Sequence, residues 1–543
     1  MTQPPTPIQP SPNPRRHWLS PATSHTALSA TLLLMASTIL SGVLGLIRTK
    51  YISHIFGAGP VTDAYNAAFQ LPDMLAYFLV GGVASISLVT ILNRYREAAP
   101  DGIPDDSGAD RALSIVLNAM LVVLTLGILL AELFAPLYTR LAFRGFTPDQ
   151  AALCTSLTRI LLPAQLFFFI GGVLGSRLLV RKIFLYQAIT PLIYNAGIIL
   201  GAVLLHQRFG IYSVAYGVLA GVILGPAALT AYGALRTGLR YYPILNLRHP
   251  AFTEWLRLTL PLMVGVSLVT ADKWILSYFA SADPGGISRL TVAKTLFNAP
   301  MGVVGQAAGA ASLPFFSALF AQHRLADFAA AINRSVSRIL AAALLLAAWM
   351  IALATPIVDL FRGGSFTPQD AASTATYFIL FSLSIALWAS QGIYARAFYA
   401  AQDTVTPATA GWTVTLISIP LYYLLFHRYG IPGLAIASDL GIAIQTLTLA
   451  TLLHRKKLTS LTGLELPELA RATLAALTAY AATTYLTTTL ATHLLPTHSS
   501  SHPRSHATDL LLIAAGTLTW ATTAYATLLL TRSTLPNQLL RRR

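Results

Sequence analysis

The stretch RGFTPDQAA, Arg144 to Ala152, returns as GSFTPQDAA, Gly364 to Ala372, and that return decides how the chain is organised. A second pair, HQRFGI from His206 and FHRYGI from Phe426, keeps the same spacing. Phe146 and Phe366, like Gly210 and Gly430, are about 220 residues apart. ITPLIYNAGIIL from Ile189 echoes VTPATAGWTVTL from Val405. Three landmarks at nearly one offset mark an internal duplication.

The runs between these landmarks set the class. Of the 543 residues, 55% are hydrophobic and only 10% are charged. The charges gather in short breaks between apolar runs of about 20 residues or more, the length that crosses a bilayer as helix. The alternation over segments of about ten residues that marks a transmembrane barrel is missing. The expected fold class is an all-α polytopic membrane protein with about fourteen transmembrane helices. Each repeat holds six spans, an even number, so the halves enter the membrane in the same orientation. The expectation is two parallel six-helix lobes plus two additional C-terminal helices. The corresponding boundaries are a disordered cytoplasmic tail over 1–26, an N-lobe over 27–236, a C-lobe over 251–454, spans 13 and 14 over 467–531, and a basic cytoplasmic tail over 532–543.

The net charge of +16 invites a nucleic-acid reading, but the basic residues are spread through many short loops and form no stripe. They serve instead as topology signals. With the N-terminus inside, the connections that hold Arg94, Arg96, Arg177, Arg181, Lys182, Arg240, Lys456 and Lys457 all face the cytoplasm, which puts both termini there. The single cysteine, Cys154, lies in an apolar segment and reads as a packing residue. His498, His502 and His506 recur every four residues in THSSSHPRSH, a pattern that reads as a solvated loop rather than a metal site. Acidic residues within the spans are too few and scattered for a glycosyltransferase or polymerase. No catalytic residue, metal or cofactor is expected. Two parallel lobes imply a cleft near the midplane and alternating access by rocking, hence a transporter.

A longer stretch carries a resemblance. SGVLGLIRTKYISHIFGAGPVTDAYNAAFQLPD, Ser41 to Asp73, resembles the first two spans of the MurJ (MviN) family of lipid II flippases, within the multidrug/oligosaccharidyl-lipid/polysaccharide exporter superfamily. NAPMGVVGQAAGAASLPFFS from Asn298 is similar to that family's eighth span, and FYAAQDTVTP from Phe398 to its connection between spans ten and eleven. The resemblance implies a protein of the bacterial plasma (inner) membrane, acting as a monomer among membrane lipids. Its partner is a lipid-linked saccharide, a polyprenyl-diphosphate carrying the peptidoglycan precursor, moved from the cytoplasmic to the periplasmic leaflet. Membrane potential, H⁺ and Na⁺ stay open as energy sources. The alternatives are another polyprenyl-linked glycan as cargo, or cation-coupled drug export on the same fold. The threonine-rich AYAATTYLTTTLATHLL from Ala479 places a lipid-tail groove on the two extra spans.

Arg48 matches a family arginine that lines the central cavity, where a guanidinium would grip a phosphate with two parallel donors; the bland alternative is snorkelling to the outer interface. Ser41, two helical turns earlier, shares its face and also matches a family serine. Lys50 reads as an interfacial anchor. Asp63 matches a family aspartate and is expected either to cap the second span or to exchange partners with Arg48 as a gate. Departures accompany these matches. Gly42 and Ala76 stand where the family usually has arginines, and the eighth span's acidic, basic and acidic trio falls on Lys294, Thr295 and Asn298. Lys294 and Asn298 are one turn apart and would offer a cation and an amide to a headgroup. Asp272 and Lys273 lie deep in the seventh span and point about 100° apart, so one is expected at the cavity and the other against a neighbouring helix. Asp272 is the candidate for ion coupling, with Asp439 a weaker one, and Lys273 joins the substrate-binding set.

Overall fold

The computed structural model describes residues 27–80, 84–97, 106–264, 268–494 and 505–536. The tail expected over 1–26, the end of the tail expected over 532–543, and His498 with His502 lie outside them. Apart from one isolated bridge, between Gly363 and Phe366, the regular structure is helical among the described residues.

The helices group into fourteen membrane-scale segments. The first six are α1 (Ala27–Phe56); α2 (Pro60–Ala68), α3 (Gln70–Val80) and α4 (Ala84–Glu97) in succession; α5 (Asp106–Ala142); α6 (Pro148–Leu161) with α7 (Ala164–Val180); α8 (Leu185–Phe209); and α9 (Tyr212–Val222) running through a π-helical turn at Ile223–Leu229 into α10 (Thr230–Arg236). The next six are α11 (Pro250–Val264) with α12 (Leu268–Ala280); α13 (Gly286–Ala321); α14 (Leu325–Ala352); α15 (Ala354–Asp359), α16 (Pro368–Leu383) and α17 (Ile385–Ala400); α18 (Val405–Tyr429); and α19 (Ile431–Arg455). α20 (Leu466–Leu494) and α21 (His506–Leu530) follow. Among the described residues, nine helices are long and apolar enough to cross a membrane, and α16 with α17, bent by 43°, makes a tenth. The other four segments are interrupted, as in α2 to α4 and α11 with α12, or carry polar residues, as in α13 and the threonine-rich α20. The chain is an all-α polytopic membrane protein.

The duplicated sequence folds to duplicated local geometry. Thr147 and Thr367 each cap the following helix through a reciprocal capping box, with Gln150 and Asp370 as partners and Pro148 and Pro368 in the first turn. Gly210 and Gly430 take φ of 53° and 64°, and Lys182 and Gln402 take φ of 59° and 60°. α8 and α18 are both 25 residues long and each packs along the helix that follows it. The turn before α18 has its own clamp. Asp403 accepts from Thr406 N and Oγ1 and pairs with Lys456 at 2.5 Å. Against the upward push of burial, these partners hold the Asp403 carboxyl at about 2.

α11 departs from simple duplication. It follows the long connection out of α10, yet it packs mainly on α3, α4 and α5, with Trp255 buried beside Leu88, Ile91 and Leu113. Arg94 and Glu254 pair at 2.5 Å along the same contact. α20 and α21 pack on each other and on α14 and α15. Many of their threonines donate to carbonyls one turn back, as Thr473 does to Leu469 and Thr488 to Thr484, so those hydroxyls need no partner from lipid.

Candidate substrate cavity

A cavity of about 420 Å³ lies between the first six segments and the second six. α1, α2, α3 and α8 line it from one side, and α12 and α13 from the other. Among the described residues its charged lining is Arg48, Lys273 and Lys294 against a single acid, Asp73. Hydroxyls, amides and phenols complete the wall, among them Tyr65, Asn66, Tyr194, Thr291, Thr295 and Asn298. Several fixed donors with an excess of positive charge suit a compact anion.

Arg48 sits two turns before the end of α1 and is held in place. Its Nη1 donates to Asn195 Oδ1 at 3.1 Å, while Asn195 Nδ2 donates to Ser41 Oγ at 3.2 Å and to the Pro191 carbonyl at 3.0 Å. Ser41 therefore does not line the cavity; it braces the amide that orients Arg48. One amide bond leaves most of the guanidinium's five donors uncommitted to Asn195. Asn195 escapes a reading of the sequence for charge. The available signal is a lone amide in the apolar run ITPLIYNAGIIL.

Lys273 and Asp272 part as their 100° separation requires. Lys273 lines the cavity and pairs with Asp73 at 2.6 Å, both side chains about half-exposed. Asp272 is buried, accepts from the Tyr422 hydroxyl and lies 3.0 Å from Lys294 Nζ. Lys294 also donates to Ser438 Oγ at 3.3 Å, and its ammonium stands 4.0 Å from the ring centre of Phe381 and 4.9 Å from that of Trp388. An aromatic face attracts a desolvated cation, so Lys294 is fixed by rings and by Asp272 while still reaching the cavity wall. Asn298 lies exposed on the same wall, one turn away. Asp439 accepts from Ser384 and is separate from the lining.

Asp63 requires a correction. Gly59, the residue before α2, gives it no side-chain cap, and Thr62 reaches the Phe56 carbonyl at 3.4 Å. Asp63 caps a different helix: its carboxylate accepts from Gly285 N at 2.6 Å, Ser288 N at 2.7 Å and Ser288 Oγ at 2.6 Å, at the start of α13. Its hydrogen bonds go to α13 and not to Arg48. The same face carries further joins between the two sets of segments. Ser365 donates through N to His54 O at 2.8 Å and through Oγ to Ile55 O at 3.0 Å. Gly57, at φ 74°, lets Ser365 come so close that a Cβ there would stand 2.5 Å from its carbonyl oxygen. Lys50 does not line the cavity. Among the described residues, no group of three or more His, Cys, Asp or Glu is placed to hold a metal ion. A Cβ at Gly42 meets nothing within 4 Å, so packing does not exclude a side chain there.

The architecture has known counterparts. A solved structure described as lipid II flippase MurJ in an inward closed conformation superposes with a TM-score of 0.73 at 23% identity, covering 92% of this chain and 99% of that one. An inward-facing multidrug resistance MATE transporter of the MOP superfamily superposes with a TM-score of 0.64 at 16% identity, covering 79% of this chain and 98% of that one. In sequence, the protein named lipid II flippase MurJ of Burkholderia cenocepacia is 28% identical over 436 residues, 77% of this chain and 82% of its own length. That named probable lipid II flippase MurJ of Rhizobium meliloti is 27% identical over 435 residues, 77% of this chain and 79% of its own. The family profile described as "Lipid II flippase MurJ" matches residues 52–502, most of the chain, and with the cavity between its two sets of helices this protein belongs to the MurJ family.

Proposed function

We propose that this chain is a lipid flippase, not a catalyst, and that it moves a polyprenyl-diphosphate-linked peptidoglycan precursor, lipid II, across the bacterial inner membrane for cell-wall synthesis. The observation that carries the reading is the cationic cavity between the two sets of six segments, with Arg48 braced by Asn195 and Ser41. A diphosphate headgroup entering it meets Arg48 from one set and Lys273, Lys294 and Asn298 from the other. Such a ligand favours whichever arrangement brings both walls to it, and that differential affinity is what moves a two-state transporter.

Both termini belong in the cytoplasm on the charge bias, which makes the face of Asp63, Gly285 and Ser365 periplasmic. The joins there close the periplasmic side, and α11 leaning on α3 to α5 narrows the cytoplasmic one. The chain acts as a monomer in this reading. Drug export is the weaker alternative, because a cationic drug would be repelled by Arg48, Lys273 and Lys294. A different glycan on the same lipid carrier is favoured by one observation, the open space at Gly42 where the family usually has an arginine.

The test is Arg48→Ala in cells where this chain alone supplies the activity, with the leaflet location of lipid II followed. A charge-assisted contact is worth about 1.5 to 3 kcal/mol, so flipping should fall by about tenfold to a hundredfold at unchanged membrane abundance. Arg48→Lys should recover part of it, since a point charge lacks the planar fork. Full activity in Arg48→Ala would remove the phosphate contact from this residue.

A further inference from the structure

The duplication pairs Pro136 with Pro356 and Thr147 with Thr367, about 220 positions apart, and between and beyond these anchors the two copies differ in charge. In the first copy a groove of about 610 Å³ runs between the end of α5, the turn that follows and α6, on the face of Asp63. Three arginines line it: Arg140, Arg144 and Arg159. Arg159 is held by Glu132, 3.7 Å from its carboxylate and 3.3 Å from its carbonyl oxygen. Arg140 and Arg144 form no ion pair among the described residues. Small side chains on α6, Ala151, Ala152 and Ser156, leave the room between the helices. In the second copy Leu360, Gly364 and Ile379 stand at the arginine positions and Ala352 at that of Glu132, yet the same capping box forms. The helical frame therefore does not need these charges.

What covers the frame differs as well. α21 packs on α15, the counterpart of the end of α5, and there Leu353 and Phe361 are buried while Arg362 lies 3.9 Å from the buried Asp509 of α21. At the matching positions of the first copy, Leu133 and Leu141 are 69% and 54% exposed, with Phe134 and Leu137 exposed beside them. One copy thus receives an apolar cover and a carboxylate from its own chain, and the other presents an apolar face and arginines to the bilayer. Arginines at this end of the spans also run against the charge bias that sets topology. Arg159, in the last turn of α6 and about 16 Å along the helix from Pro148, lies deeper than an interfacial anchor needs to be.

We infer that this groove binds the phosphodiester headgroup of an anionic diacyl phospholipid of the periplasmic leaflet, with the acyl chains along Leu133, Phe134, Leu137 and Leu141. Guanidinium forks match phosphate oxygens in pairs. Glu132 offsets one of the three arginines, so the groove keeps an excess of positive charge that a zwitterionic lipid, bringing its own ammonium, meets less well. A partner helix such as α21 would cover the apolar face, but it brings a carboxylate to one arginine, whereas three around an open volume fit a headgroup. None of the groove residues lines the central cavity, so this inference and the flippase reading stand or fall separately.

The experiment uses the full chain in phosphatidylcholine nanodiscs containing a trace of phosphatidylglycerol with a diazirine on one acyl chain, and cross-links are mapped by peptide mass spectrometry. The expected result is labelling of residues 133–141 at least tenfold above that from phosphatidylcholine carrying the same diazirine, and suppressed by unlabelled phosphatidylglycerol. Arg140→Gln with Arg144→Gln should cut the labelling at least fivefold, and so should Arg140→Leu with Arg144→Gly, which copies the second set and keeps its frame. Arg48→Ala should leave it unchanged. Equal labelling by the two lipids, or no loss in the double variants, would overturn the site and make the arginines interfacial anchors. Suppression by inorganic phosphate as strong as that by phosphatidylglycerol would overturn the lipid in favour of a soluble anion. A photoreactive phenylalanine at Leu137 that, in native inner-membrane vesicles, joins another protein in place of phospholipid would overturn it in favour of a partner helix.

Discussion

Lys294 shows how much one side chain can be asked to do. Its ammonium is held by Asp272 at 3.0 Å and by the rings of Phe381 and Trp388, yet it reaches the wall of the polar cavity. Removing one member of a buried pair strands the other, so Lys294→Met alone should destabilise the protein by about 3 to 5 kcal/mol, read as lost expression and a lower melting temperature in detergent. Lys294→Met with Asp272→Leu should restore expression, since both charges are gone, while flipping stays low because the cavity has lost a cation. Recovery of flipping in the double variant would make the pair structural only. The sequence marked both residues as functional by their polarity inside spans. Their opposite charges allow a Lys294–Asp272 pair as one of two readings, but the choice needs the structure, because the residues lie on different helices and their distance depends on how α12 and α13 cross. Asn195 and Tyr422, neutral residues in apolar runs, gave still less signal, and their roles come from the charges they touch.

At the scale of the helices, end chemistry explains both what repeats and what joins. The boxes at Thr147 and Thr367 are local, since four consecutive residues suffice to form each one. The start of α13 is different, since its N–H groups are satisfied by Asp63 from α2. An asparagine there keeps one acceptor and loses the other, so Asp63→Asn should loosen the contact between α2 and α13 without unfolding either. In a Cys154→Ser background, a cysteine at Ser277 on the cavity wall should then react severalfold faster with an impermeant thiol reagent added from the periplasmic side. An unchanged rate would show that the cap does not hold that face closed. The Asp403 clamp is of another kind. Its carboxyl titrates below the ordinary value of 3.8, so its contribution is complete above that range and is lost only as pH falls toward about 2.

For the whole molecule, the two sets of segments touch at one face through His54, Ile55 and Gly57 against Ser365, and at the other through α11. Alternating access requires these contacts to break in turn. Cysteines at His54 and Ser365, joined by a short thiol cross-linker, should stop flipping almost completely, and a cleavable linker should let reductant restore it. Continued transport in the cross-linked protein would mean that this face does not open during the cycle. The sequence by itself determined the membrane class and the duplication, because hydrophobic run length and repeat spacing are written along the chain. Only the tertiary structure decided that Asp63 caps α13, that Ser41 braces Arg48 through Asn195, and that α11 lies against the first set. Those pairings bring together residues up to hundreds of positions apart, and the packing of one helix on another, which no local pattern encodes, sets which of them meet.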